Sequence, residues 1–462
     1  MRLNSPIMDP TSTSRLISSW LEDCYSGHDA CTSTISGETI SEFDNPVLPS
    51  RVLDLGHQST SHYIRLLETN GMHGQYCALS HCWGRPDKRP IETTRYTLGD
   101  HARGIEFKEL PKTFQDAVTV TRGIGVRYLW IDSLCIVQDD KDEWKKEAEK
   151  MGKIYQRAIL TIAASGAQDS TRGCFISKSH ELSSEPIPYF SDFRDTFESG
   201  CFYLHQIFVT SPIWTPLQKR GWAFQEWRLS RRIVHFTEGG VSWKCRELEI
   251  DEYDDPRDMQ QYPEWDSLLQ SYSTAEFTFN EDRLIALQGL AMEMQIARND
   301  YYYFGIWTAD LPEQLLWMRR ETFADGLPDA PSWAWASKLG SKLFWSTQFD
   351  PEPIYQIRPE TISIEDSGIM KIRDAYLKGC TTSEPSIQCA SCSSHNGLKD
   401  VRMIIEHYVD EDAHSLRALE NSSECPFGVA ILDGESSPDL HCLFVMQTKV
   451  NGFMEAFNEV CI

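Results

Sequence analysis

The chain contains neither a GxxxxGK[ST] nor a GxGxxG segment, so two common glycine-rich phosphate cradles are excluded. It also has no basic stripe interleaved with aromatic residues. Acidic side chains outnumber basic ones 68 to 44, a formal net charge of -24, which disfavours nucleic acid or an anionic membrane as the main partner. No run approaches the ~18 uncharged apolar residues of a membrane span. The N-terminus, MRLNSPIMDPTSTSR, lacks the apolar core of a signal peptide. A cytoplasmic protein without a membrane span is expected. The fourteen cysteines are dispersed, and several, such as Cys135 and Cys442, stand among apolar residues. They read as small buried hydrophobes rather than a disulfide framework. Cys24, His28 and Cys31 form a loose metal-like set whose spacing matches no common zinc pattern and which has no evident fourth ligand. Cys389-x-x-Cys392-x-x-His395 is a lone CxxC in a serine-rich loop and reads as free thiols. No metal site is assigned.

What is present is enough chain for two or three domains at 462 residues, more than one core holds. An N-terminal segment, 1–50, ends in a loop rich in Ser, Thr and Gly, after a short helix near Arg15–Leu21. An α/β segment follows over 51–247. Arg51–Leu55 and His62–Leu67 predict a hairpin, and Tyr76–Ser80 a third strand that is broken at Gly84 and Pro86. Phe114, Ala117, Val118, Thr121 and Ile124 give one apolar face to a helix that opens at Leu110–Thr113 and ends at Gly123 or Gly125. Tyr128–Val137 predicts a strand covered on both faces, residues 142–158 a helix, and Ile159–Ser165 another buried strand. Strand, helix, strand, helix, strand with short connections is a parallel βαβαβ core. Residues 166–215 read as irregular. A helix at Arg220–Leu229 and strands at 231–236 and 240–245, across a Glu238-Gly239-Gly240 turn, complete the segment. A helical extension with a Trp-rich motif spans 248–340, with apolar helix at 268–298, 306–307 and 315–317. Alternating patterns over 341–462 predict a β-rich C-terminal region.

The stretch YLWIDSLCIVQDDKDEWKKEAEKMGKIYQRA at 128–158 is central. Asp139, Asp140 or Asp142 can cap its helix. On a wheel, Trp144, Ala148, Met151, Ile154, Tyr155 and Ala158 fill one arc. Glu147 is the one carboxylate inside that arc, so it is paired, protonated or lining a pocket. In open parallel sheets, ligands sit beyond the carboxyl ends of strands. His81 and Trp83 hold such a position, where a hydrogen-bonded histidine and a core aromatic would also fit. Right-handed crossovers bring Ser80, His81, Asp132 and Glu147 toward one edge. Glu226, beside tryptophans, reads as a structural pair with Arg220. A Cys–His hydrolase is disfavoured, because His81 and Cys82 point to opposite faces of a strand and Cys135 is an apolar mid-strand thiol.

Several blocks occur together in order: YCALSHCWG at 76–84, LPKTFQDAVTVTRGIGVRYLWIDSLCIVQ at 110–138, Trp144-x-x-Glu147-x-x-x-Met151-x-x-Ile154-Tyr155-x-x-Ala158, and RGWAFQE at 220–226. DRLIALQGLA at 282–291 and APSWAWAS at 330–337 follow. This set resembles the fungal heterokaryon incompatibility (HET) domain proteins, over 76–226 most clearly. The resemblance implies a role in fungal non-self recognition and programmed cell death. Other HET or receptor proteins, or further copies of the chain, would be the partners. HET domains have been proposed as remote relatives of TIR domains, which implies a TIR-like or flavodoxin-like core. Enzymatic TIR domains cleave NAD+ with a glutamate in a Trp-x-x-Glu context. Trp144-x-x-Glu147 matches it, with Ser80, His81, Trp83, Asp132 and Trp144 as substrate-binding candidates. NAD+ would then be a substrate, and no cofactor is expected. A non-enzymatic signalling module of the same pathway is the alternative.

Overall fold

The computed structural model describes residues 9–40, 45–56, 62–176, 215–252 and 264–311, together with short stretches and strands elsewhere. The chain divides into two compact units, Met1–Gln261 and Tyr262–Ile462.

The first unit begins with α1 (Pro10–Gly27). Asp9 caps it, accepting from the amides of Thr11 and Ser12 at 3.0 Å each, and Pro10 opens it. The Asp-Pro start explains why the helix is longer than the apolar pattern alone predicts. β1 (Arg51–Asp54) and β2 (Tyr63–Glu68) form the expected hairpin. β3 (Tyr76–Ser80) is buried throughout. After α2 (Leu98–Arg103) and β4 (Ile105–Glu106) comes α3 (Lys112–Gly123). β5 (Tyr128–Trp130) is followed by α4 (Asp132–Cys135), α5 (Lys141–Arg157) and β6 (Leu160–Ala163). β7 (Pro186–Phe193) and β8 (Thr196–Tyr203) pair as a separate hairpin, within a stretch expected to be irregular. α6 (Gly221–Leu229), β9 (Arg232–Thr237), β10 (Gly240–Cys245), β11 (Leu248–Asp251) and β12 (Arg257–Asp258) end the unit.

One ten-stranded sheet runs β12-β11-β10-β9-β6-β3-β5-β1-β2-β4. β3 is parallel to β5 and β6, and β6 to β9. The strands outside these four pair antiparallel. The fold is therefore α/β with a mixed sheet, and the parallel core expected from sequence is its middle. Along β5-β3-β6-β9 the chain order is 2-1-3-4.

The long strand expected at 128–137 is instead three residues of β5 and then α4. Asp132 is the reason: its Oδ1 accepts the Ser133 amide at 2.7 Å, a local bond that competes with the ladder. Leu134, Cys135, Ile136 and Val137 remain at most 3% exposed, so burial alone did not discriminate strand from helix. In α5, Asp140 supplies the cap, accepting the Glu143 amide at 3.1 Å.

In the second unit, α7 (Trp265–Tyr272) and α8 (Asp282–Arg298) hold the expected helical region. Ile306–Trp307, read as helix, pairs with Tyr302–Tyr303 as an antiparallel hairpin, turning at Phe304 and Gly305, both at positive φ. Trp317, the end of the 315–317 stretch read as helix, opens a strand, Trp317–Arg319, that pairs with Leu343–Trp345. Trp265, Tyr272, Trp307 and Trp335 are buried together, with Trp335 edge-on to Tyr272 at 6.3 Å. Farther on, Tyr376–Cys380 and Gly428–Leu432 flank Asp439–Gln447 antiparallel. Residues 401–409, part of the region expected to be β-rich, and the Cys389/Cys392/His395 set lie outside the described residues.

Candidate functional site

A parallel order of 2-1-3-4 reverses direction between its first and third strands, here β3 and β6, and such a switch point is where open α/β sheets bind ligands. Ser80 closes β3 opposite Ala163 of β6. His81, Cys82 and Trp83 follow, and Gly84 turns the chain away at φ +79°. Asp132 arrives just beyond β5. Arg220 caps α6 and Glu226 stands within it. Trp83 Nε1 donates to Asp132 Oδ2 at 2.7 Å. The Arg220 guanidinium lies 3.6 Å from the same oxygen and 5.9 Å from the Trp83 ring centre. Arg220 also donates to the His81 carbonyl, and Trp227 Nε1 donates to Ser80 Oγ at 3.3 Å. Three of the residues singled out in the sequence, His81, Trp83 and Asp132, thus meet around one arginine, and Ser80 stands beside them on Trp227. The cluster reaches solvent at Trp83 and Arg220, both partly exposed.

The buried groups differ in how well they are satisfied. Both Asp132 oxygens are bonded. Neither nitrogen of His81 has a hydrogen-bond partner; its Nδ1 is 3.7 Å from Asp132 Oδ1, and its ring is edge-on to Phe114 at 5.0 Å. Burial pulls His81 down to about 4, against the attraction of Asp132, so at neutral pH it is an uncharged imidazole. Glu226 is 1% exposed, and neither of its oxygens has a donor in good geometry. Burial pushes its carboxyl up to about 7; Arg220 pulls the other way and the charge of Asp132 adds to the rise. The hydroxyls of Ser80 and Tyr155 are near enough to oppose the rise. A buried, unbonded carboxyl that titrates near neutrality is a candidate acid, base or cation stabiliser.

Glu147 lies elsewhere. It is 5% exposed on α5 and lines a cleft of about 430 Å³ with Val47–Ser50, Thr69–Gly71, Lys150 and Ile154. Ser50 Oγ and Lys150 Nζ each donate to its Oε1 at 2.8 Å. Among the described residues no hydrogen bond falls on Oε2. None of Ser80, His81, Trp83, Asp132 or Trp144 lines this cleft. Trp144 packs edge-on against Trp222 of α6 at 6.2 Å.

Residues 76–226 match the family model described as Heterokaryon incompatibility protein (HET). The chain carries a HET domain over these residues. No curated protein and no solved structure matches it. The HET match begins with β3, whose carboxyl end leads into the switch point, and ends on Glu226. Sequence reading assigned Arg220 and Glu226 to a structural pair; in the HET domain the Arg220 ion pair runs to Asp132 instead. The signal that would have found Glu226 is positional: it lies on the helix connecting the third and fourth parallel strands, an order that only the sheet reveals. The Cys24, His28 and Cys31 side chains lie outside the HET match and are joined by Cys245 at the end of β10.

Proposed function

We propose that this HET-domain protein acts in heterokaryon incompatibility as a death effector, and that it does so by cleaving NAD+ or a related nucleotide at the switch-point cluster. The HET match supports the pathway. The 2-1-3-4 order of the parallel strands, that of flavodoxin-type sheets, supports a TIR-like reading of the domain. The observation that carries the chemistry is Glu226, buried beside Arg220 and Asp132 with both oxygens unbonded.

The proposed reaction is a hydrolysis. The bond between nicotinamide and ribose C1′ breaks, and the electron pair leaves on the pyridine nitrogen. Water adds to the oxocarbenium-like carbon and releases a proton, giving nicotinamide and ADP-ribose. Ionised Glu226 would stabilise the developing cation, Arg220 would hold a phosphate or ribose oxygen, and Trp83 would stack on a base. Asp132 would keep Trp83 and Arg220 in place. Residues 51–247 would form the effector domain, with the helical extension and the β-rich region after 340 sensing another HET or receptor protein, or a second copy, in the cytoplasm.

A second reading places the chemistry at Glu147, and the cleft in front of that carboxylate favours it. Purified full-length protein incubated with NAD+ separates the two. On the proposed reading Glu226→Gln abolishes nicotinamide release while Glu147→Gln retains most of it; the reverse pattern transfers the centre to Glu147. If the wild type leaves NAD+ and related nucleotides intact at high concentration, the enzymatic reading fails and a signalling module remains.

A further inference from the structure

Cys24 and His28 lie four residues apart on the last turn of α1 and its cap, so both side chains leave the same face. Cys31 follows on the next short turn. Cys245 ends β10, 214 residues beyond Cys31. The three sulfurs and a ring nitrogen of His28 all lie within 4.8 Å of one another, with His28 Nδ1 3.2 Å from Cys245 Sγ. Tetrahedral ligands about 2.3 Å from a zinc ion sit roughly 3.8 Å apart, so this spacing closes onto a metal with small side-chain movements.

The surroundings point the same way. Arg232 Nε donates to Cys24 Sγ at 3.1 Å, and the Leu248 amide donates to Cys245 Sγ at 3.3 Å. Arg231 donates to the Cys31 carbonyl at 3.2 Å. Arg231 and Arg232 are at most 2% exposed, and among the described residues neither ion-pairs with a carboxylate. Buried guanidinium groups need a counter-charge. Three thiolates with one divalent cation carry a net charge of minus one and provide it, and N–H donors onto sulfur are what surrounds thiolate–metal centres.

We propose that Cys24, His28, Cys31 and Cys245 form a Cys3His site for a divalent zinc ion. With four protein ligands it is closed, hence structural rather than catalytic. It clamps α1 and the following turn, which precede the HET match, onto β10, which lies after it. The folded unit around the HET domain is therefore larger than the matched residues, and metal binding contributes to its stability.

The test uses the full-length chain carrying Cys389→Ser and Cys392→Ser, which removes the other candidate set. Elemental analysis after dialysis is expected to give one zinc per chain, and Cys245→Ser none. Because Cys245→Ser can also disturb folding, a second variant is needed. His28→Cys should keep one metal, and its cobalt(II) form should show a stronger, shifted sulfur-to-metal absorption relative to the parent. Three results overturn the site: full zinc occupancy after Cys245→Ser, a cobalt(II) spectrum unchanged by His28→Cys, or a disulfide among Cys24, Cys31 and Cys245 in freshly purified metal-free protein.

Discussion

Replacing Glu226 with Gln keeps the side chain's shape and removes its ability to ionise, and the structure sets the size and sign of the effect. Burial lifts this carboxyl from 4.5 to about 7. Between those values the folded protein keeps the proton while the unfolded chain releases it. Wild-type stability therefore falls as pH rises through this window, and the full loss is present above about 7. At about 1.36 kcal/mol per pH unit, the loss is roughly 3 kcal/mol. His81, pulled down to about 4, works in the opposite direction up to its ordinary value of 6.5, as does His235, at about 3. Both histidines are common to the two proteins and cancel in the difference. Glu226→Gln should thus be close to wild type at about pH 5 and more stable by about 3 kcal/mol at about pH 8, a gain obtained by removing a functional group. Hydrogen exchange of the buried β3 peptide in the full-length protein reads this directly. The expected gap in protection is small at the lower pH and roughly 100-fold at the higher. A gap that does not change with pH, or a variant less protected than wild type at pH 8, would refute the reasoning about Glu226.

On the proposed reading the ionised Glu226 carboxylate is the working form, so nicotinamide release should rise with pH through about 7, measured as initial rates across that range. Arg220→Leu leaves Asp132 buried without its cation and should cost about 3–5 kcal/mol, seen as a lower denaturant midpoint. Lys150→Ala breaks the Glu147 pair, but with the lysine side chain 53% exposed it should cost less than about 1 kcal/mol in the same assay. Gly84→Ala puts a Cβ 2.6 Å from that of Asp169 at φ +79° and should cost about 1–3 kcal/mol, read as a lower thermal midpoint.

The sequence was most informative where a residue's neighbours along the chain decide its structure. The β1–β2 hairpin, β3, α3, α5 and β6 follow from turn residues, caps and apolar spacing, and with them the parallel middle of the sheet. The inward position of Glu147 also followed from spacing alone. What failed was set by contacts distant in sequence or by one local bond. The Asp132–Ser133 bond set four residues of an expected strand into α4, and the tight hairpin at Phe304–Gly305 made the helix candidate Ile306–Trp307 a strand paired with Tyr302–Tyr303. Glu147 and Ser80 were expected to converge because both follow parallel strands, but Glu147 lies two turns along α5 and fronts a separate cleft. Glu226 and Cys245 could not be placed, since each acquires its partners only when β6, β9 and β10 take their positions beside β3.

The central claim is that the buried Glu226 carboxylate is the group through which the HET domain acts. Expression in yeast of wild type and Glu226→Gln at matched protein levels, with viability and cellular NAD+ followed together, tests it most directly. The account predicts death and NAD+ loss with the wild type, and neither with the variant even though the variant folds more stably. A Glu226→Gln protein that kills and depletes NAD+ as the wild type does would contradict it.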